Sequence, residues 1–152
     1  MAARDRAKFF VKRPAYADRL LCVALCQGAG THFVECERGL PLTSGIKDFD
    51  VWSFFSAIPG ERFPADRRTT HDDFGDSKFG RWLDEPSPYR HYSGRRVDFL
   101  LRALDAIRDD DPADALRAWL RTGRTRSAGL LAMKGVVLID PPERRREIVW
   151  PI

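Results

Sequence analysis

The chain has 152 residues, 43% hydrophobic and 11% aromatic, so it is long enough to bury a substantial core and too apolar for a disordered chain. Its 26 Lys and Arg residues against 22 Asp and Glu residues give a formal charge of +4, which is compatible with nucleic acid as a partner without indicating it. No apolar run approaches the roughly 20 residues that span a bilayer, and no leader-like segment begins the chain. We expect one cytoplasmic α/β (α+β) domain over residues 1–152.

The three cysteines predict reduced thiols rather than a disulfide framework. Their number is odd, and Cys22 and Cys26 lie in an apolar stretch with Cys36 shortly after it. A zinc site that adds His32 to the three cysteines is the alternative, but the set lacks a pair of closely spaced ligands.

The first predicted elements are a helical segment from Ala15 and a strand that ends at Cys26. The strand is apolar on both faces, which is typical of a central strand covered on both sides. Gln27-Gly28-Ala29-Gly30 then breaks it as a glycine-rich turn, and Thr31 is a candidate cap for a short helix through Glu35 or Glu37.

The next predicted strand, which runs through Phe55, carries two carboxylates. Asp48 and Asp50 are two residues apart beside the apolar run Val51-Trp52-Ser53-Phe54-Phe55, and residues i and i+2 of a strand project from one face, roughly 6.5–7 Å apart. Two ionised carboxylates so placed repel, and a divalent cation with oxygen ligands relieves the repulsion. The pattern therefore predicts a metal site.

A long and mostly irregular connection is expected from residue 59 to residue 92, because this stretch mixes charges with Gly and Pro and has no clear periodicity. The following strand, Arg96 to Leu100, carries Asp98 between apolar neighbours, so Asp98 is the third candidate metal ligand. Arg96 shares the predicted face of Asp98 and is a candidate for a phosphate contact or for a simple salt bridge, and Lys47 is a further candidate phosphate contact.

Residues 101–135 are predicted to be mostly helical. We expect a helix carrying Leu101, Leu104 and Ile107, and a second helix from the Asp111-Pro112 cap to Gly123. A third helix is expected from a Ser127 cap to Gly135. Two final strands are predicted, at Val136–Ile139 and Ile148–Trp150.

The order of these motifs resembles the polymerase beta-like nucleotidyltransferase superfamily. The matching features are the turn Gln27-Gly28-Ala29-Gly30, the acid-apolar-acid motif Asp48-Phe49-Asp50 and the later Val97-Asp98-Phe99. The resemblance covers roughly residues 20–104. It implies a nucleotidyltransferase-like fold, a mixed β-sheet flanked by helices.

The resemblance also implies an activity, the transfer of a nucleoside monophosphate from a nucleoside triphosphate to a hydroxyl acceptor. Asp48, Asp50 and Asp98 would be the catalytic residues and the ligands of Mg²⁺ or Mn²⁺. The substrate phosphates would bind at residues 28–31, namely Gly28, Ala29, Gly30 and Thr31. Ala29 stands where the family usually carries Ser or Gly, which favours the alternative of a non-catalytic nucleotide-sensing or protein-interaction module of the same fold.

Overall fold

The computed structural model describes residues 1–43, 46–64, 67–71 and 96–151. Its helices are α1 (Ala2–Lys12), α2 (Gln27–Glu37), α3 (Pro112–Thr122) and α4 (Arg126–Ala132), with short 3₁₀ turns at Pro14–Tyr16 and Pro142–Arg144. Its strands are β1 (Leu20–Cys26), β2 (Phe49–Ser56), β3 (Arg67–His71), β4 (Arg96–Leu104), β5 (Gly135–Asp140) and β6 (Ile148–Trp150). The mixed α/β class is thereby confirmed.

The strands form one mixed sheet in the order β3-β4-β2-β1-β5-β6. β2 and β4 are parallel, and the other described neighbours are antiparallel. β1 leads directly into α2. Because β2 runs antiparallel to β1 and parallel to β4, β2 and β4 both start at the end of the sheet where β1 finishes.

Both faces of the sheet are buried, which explains why β1 is apolar on both sides. On the face that we call the helical face, Ala24, Cys26 and Phe54 pack against α3 and α4. On the opposite face, the α1 face, Phe9 of α1 packs in an aromatic cluster with Phe55, and their ring centroids are 5.4 Å apart.

The prediction of a helix beginning at Leu101 was wrong. β4 continues to Leu104 because it pairs in parallel with β2 as far as Ser56. Leu101 lies in the cluster on the α1 face and Leu104 in the core on the helical face, so burial on both faces removed the alternation that would have indicated a strand. Ile107 lies beyond the strand and is 69% exposed.

Two predicted helix starts were also wrong. α2 begins at Gln27, directly after β1, so Thr31 lies inside the helix rather than at its cap. α4 is capped by Thr125, whose hydroxyl accepts from the Ala128 N–H, and it ends at Ala132, so Gly135 belongs to β5.

Other predicted boundaries agree with the structure. Asp111 caps α3 by accepting from the N–H groups of Ala113 and Asp114, and Gly123 ends it in the left-handed conformation. Within the predicted connection of residues 59–92, residues 67–71 form β3, and residues 72–92 lie outside the described part of the chain.

A cluster of ion pairs joins the C-terminal segment to α3. Arg144 donates to Asp111 and to Glu147, and Arg117 of α3 donates to Glu147 over 2.9 Å. The hydrogen bonds from Arg144 hold the pKa of Asp111 and the pKa of Glu147 below their usual values. Both carboxylates are therefore more acidic in the folded protein than in the unfolded chain.

This lowering of the pKa predicts a loss of stability in acid. Groups whose folded-state pKa is depressed stabilise the protein above their unfolded values, about 3.9 for Asp and 4.3 for Glu, and this contribution disappears as the pH falls through the folded values. The free energy of unfolding from urea titrations should hold from pH 7 to about pH 5 and then decrease.

Arg144→Gln tests the origin of that loss. The variant should be less stable at pH 7 and should lose less stability between pH 5 and pH 3 than the native chain. Arg124→Gln, which removes an equal charge from an exposed position, is the control and should leave the pH profile unchanged. Equal profiles for the Arg144→Gln variant and the native protein would contradict the assignment.

Candidate functional site

Two of the three predicted acids lie side by side on adjacent parallel strands. Asp50 of β2 is in register with Asp98 of β4. Residues in register on neighbouring strands project from the same face, and the strands are about 4.8 Å apart. Asp50 and Asp98 are only 8% and 1% exposed, respectively. The structure therefore places a buried pair of carboxylates on one face, which we call the acid pair.

The acid pair belongs to a row of residues that crosses the sheet. Asp50 is also in register with Cys26 at the end of β1, and Cys26 is in register with Val136 of β5. Burial raises the pKa of the Cys26 thiol, and the nearby Asp50 raises it further. Both effects favour the neutral thiol of Cys26, which is a poor nucleophile.

Asp48 differs from the acid pair in its position and its burial. It precedes the first residue of β2 and is half-buried, so the strand alternation that sets Asp50 beside Asp98 does not govern it. Within residues 1–43, 46–64, 67–71 and 96–151, no group of three His, Cys, Asp or Glu side chains is arranged to hold a metal ion. The structure brings together Asp50 and Asp98 and leaves Asp48 at the border of the site.

Among the described residues, the three cysteines and His32 do not form a group that could hold zinc. Cys22 and Cys26 are buried free thiols, as predicted, whereas Cys36 is an exposed free thiol near the end of α2. Because burial also raises the pKa of Cys22, to about 12, both buried cysteines serve as small apolar core residues.

Helix α2 begins at the end of β1, the strand next to Asp50 of the acid pair. β1 passes into α2 through Gln27, which has a positive φ of 59°, and Cys26 at the cap position makes no side-chain cap. The first N–H groups of a helix lack intrahelical partners and carry the positive end of the helix dipole. The first turn of α2 therefore places backbone donors directly after Cys26, the register partner of Asp50.

The residues predicted to contact phosphate at the start of α2 have different surroundings. A Cβ added to Gly28 would have no heavy atom within 4 Å, so this position is open, whereas Ala29 is buried at 2% exposure. A Cβ added to Gly30 would lie 2.2 Å from the carbonyl oxygen of Gly135. Gly28 is thus the member of the set with room for a ligand, and Gly30 is required for packing.

Gly30, Thr31 and Gly135 together form a contact that we call the α2–β5 clamp. The Thr31 hydroxyl donates to the Gln27 carbonyl over 3.0 Å and accepts from the Gly135 N–H over 2.8 Å. The clamp fixes the first turn of α2 against β5 and so orients its N-terminus. This role of Gly135 was not predicted from the sequence, because a Gly after a helical segment is the usual sign of a helix end.

Arg102 is a further residue of the helical face that the sequence analysis missed. Its guanidinium lies 5.8 Å from the centroid of the Trp52 ring and donates to the Ser127 hydroxyl over 2.8 Å and 3.1 Å. Arg102 could have been predicted to share the face of Asp98, because it follows Asp98 by four residues in the same strand. Trp52 is 5% exposed and stacks on Phe54, so it is a core residue that also contacts the Arg102 guanidinium with its ring.

The remaining predicted site residues add less. Lys47 is half-buried directly before Asp48, and the side chain of Arg96 lies outside the described residues. His32 lies on α2, half-buried.

No protein family, curated protein or solved structure matches the chain. In the part of the chain that the structure describes, no helix is both long enough and apolar enough to cross a membrane.

Proposed function

We propose that this chain is a metal-dependent nucleotidyltransferase that moves a nucleoside monophosphate from a nucleoside triphosphate to a hydroxyl acceptor. The observation that carries the proposal is the acid pair, Asp50 in register with Asp98 on adjacent parallel strands and both buried. Burying two neighbouring carboxylates costs free energy, so a purely structural role would gain more from apolar residues at these positions.

The donor chemistry of the pair suits a hard divalent cation. Asp50 and Asp98 supply carboxylate oxygens, which Mg²⁺ and Mn²⁺ prefer, and Asp48 at the border of the site is the third candidate ligand. Bound Mg²⁺ or Mn²⁺ would polarise the phosphate and lower the pKa of the attacking hydroxyl.

The chain's own contribution to substrate binding is the first turn of α2. Its backbone N–H groups and dipole favour phosphate oxygens, and the open Cα of Gly28 lets a phosphate approach the backbone. The α2–β5 clamp holds this turn in place, and Lys47 supplies a nearby cation. In the reaction the acceptor hydroxyl would lose its proton to solvent, its oxygen would bond to the α-phosphorus, and the bond from the α-phosphorus to the α–β bridging oxygen would break, so that pyrophosphate leaves.

Labelling with α-³²P nucleoside triphosphates and Mn²⁺, over a panel of protein, small-molecule and nucleic-acid acceptors, tests the activity. Asp50→Asn and Asp98→Asn should each lower transfer by more than about 100-fold, since the loss of groups that only support metal ligands already costs 10–100-fold. Asp105→Asn, which alters an exposed acid just beyond β4, is the matched control and should retain activity. Equal activity in all three variants would refute the assignment.

The second candidate is a nucleotide-sensing or protein-interaction module of the same fold, and the buried Ala29 favours it because this position offers no hydroxyl to a phosphate. Both candidates predict that Mn²⁺ with a non-hydrolysable nucleotide raises the Tm of the native protein and not that of Asp50→Asn. A ligand at 100 times its Kd adds about 2.7 kcal/mol of stability. A shift without transfer would favour the module, and an equal shift in the variant would place the metal elsewhere.

A further inference from the structure

The exposed side of α1 carries a row of cations. Arg4, Lys8 and Lys12 are all exposed and are spaced four residues apart, so they project from adjoining positions about 6 Å apart along the helix axis. Phe9 on the other side of the helix is 4% exposed and packs in the aromatic cluster of the α1 face. The helix is therefore fixed to the sheet by one side and presents the cations on the other. We call Arg4, Lys8 and Lys12 the α1 cation row.

The α1 cation row has no acidic partners within the described ranges. Some other basic side chains do form ion pairs with carboxylates, namely Arg6, Arg108, Arg117, Arg144 and Arg146. Arg6 of the same helix turns towards the sheet and lies 3.9 Å from Asp140. The row thus directs three positive charges to solvent, with the half-buried Asp5 as the acid on the same helix.

We propose that the α1 cation row binds the phosphate backbone of a nucleic acid. Regularly spaced cations on a rigid helix complement a regularly spaced chain of phosphates, and each neutralised phosphate releases condensed counterions. The row lies on the α1 face, whereas Asp50 and Asp98 are on the helical face, so this surface is separate from the candidate active site. The inference does not depend on the proposed transferase activity.

The composition of the exposed side favours nucleic acid over a lipid surface. Helices that lie in a membrane interface insert large apolar residues such as Trp, Phe and Leu. The exposed apolar residues of α1 next to the cations are Ala3, Ala7 and Val11, while Phe9 and Phe10 are turned towards the core. The surface is basic without a large apolar component.

The test is fluorescence anisotropy of the whole chain with a fluorescein-labelled, mixed-sequence 20-nucleotide RNA over a series of salt concentrations. The native chain should bind, and the slope of log K against log salt should reflect about 0.7 counterions for each phosphate contact on a single strand. The triple variant Arg4→Gln, Lys8→Gln, Lys12→Gln should raise the Kd about 10-fold at low salt and make that slope shallower by about 2.

A second triple variant provides the matched control. Arg121→Gln, Arg124→Gln and Arg126→Gln remove the same charge from exposed positions in the α3–α4 segment, which packs on the helical face. The proposal is overturned if this control weakens binding as much as the first variant does, because net charge alone would then explain the binding. It is also overturned if the native chain does not bind RNA, or binds only vesicles of 30% phosphatidylserine in phosphatidylcholine. Circular dichroism of both variants is the check that they fold.

Discussion

Gly30→Ala is expected to lower the free energy of unfolding by about 3 kcal/mol, at the upper end of the cost of overpacking. The new Cβ would lie 2.2 Å from the carbonyl oxygen of Gly135, and backbone atoms cannot move aside as a flexible side chain can. α2 would have to separate from β5, and the hydrogen bond from the Gly135 N–H to the Thr31 hydroxyl would lengthen or break. Urea unfolding followed by circular dichroism measures the loss.

Gly28→Ala is the matched control, two residues earlier in the same helix. A Cβ has open space there, so the gain in helix propensity should stabilise the fold by up to about 1 kcal/mol. In the proposed transferase the same variant should weaken nucleotide binding, because a methyl group would stand between phosphate and backbone. If Gly30→Ala were as stable as Gly28→Ala, the close approach of α2 and β5 would be incorrect.

Leu104→Ala is expected to cost about 2–5 kcal/mol of unfolding free energy, since it deletes a fully buried side chain. Leu104 is 1% exposed and belongs to the core on the helical face, at the end of the pairing between β2 and β4. The same urea titration measures the effect.

Ile107→Ala is its control, because the two residues would both face the core if this segment were the helix that the sequence pattern predicts. Ile107 is 69% exposed, so its truncation should change stability by no more than about 0.5 kcal/mol. Similar losses in the two variants would indicate that the strand ends before Leu104.

Leu104 and Ile107 illustrate which elements could be predicted from the sequence and which could not. The buried strand ending at Cys26 and the cap at Asp111 were predictable, since a continuous apolar run and an Asp-Pro pair have direct local causes. β4 was not predictable beyond Leu100. Its apolar residues are buried on both faces, and only the partner strand distinguishes such a run from a helix.

The candidate site, too, was predictable only in part. The spacing of Asp48 and Asp50 and the apolar neighbours of Asp98 were visible in the sequence, but the register that pairs Asp50 with Asp98 is a property of two strands far apart in the chain. The contact between Gly30 and Gly135 was equally invisible, because a glycine that permits close approach resembles one that ends a helix until its neighbour is known.

The α2–β5 clamp has a consequence for biosynthesis. Thr31 hydrogen bonds to a backbone group 104 residues later in the chain. A nascent polypeptide that has already emerged with both Asp50 and Asp98 still lacks the strand that holds the first turn of α2. The helix end beside the acid pair is therefore secured only after β5, near the end of the chain, has been translated. This late strand completes a candidate site whose acidic residues were made well before it.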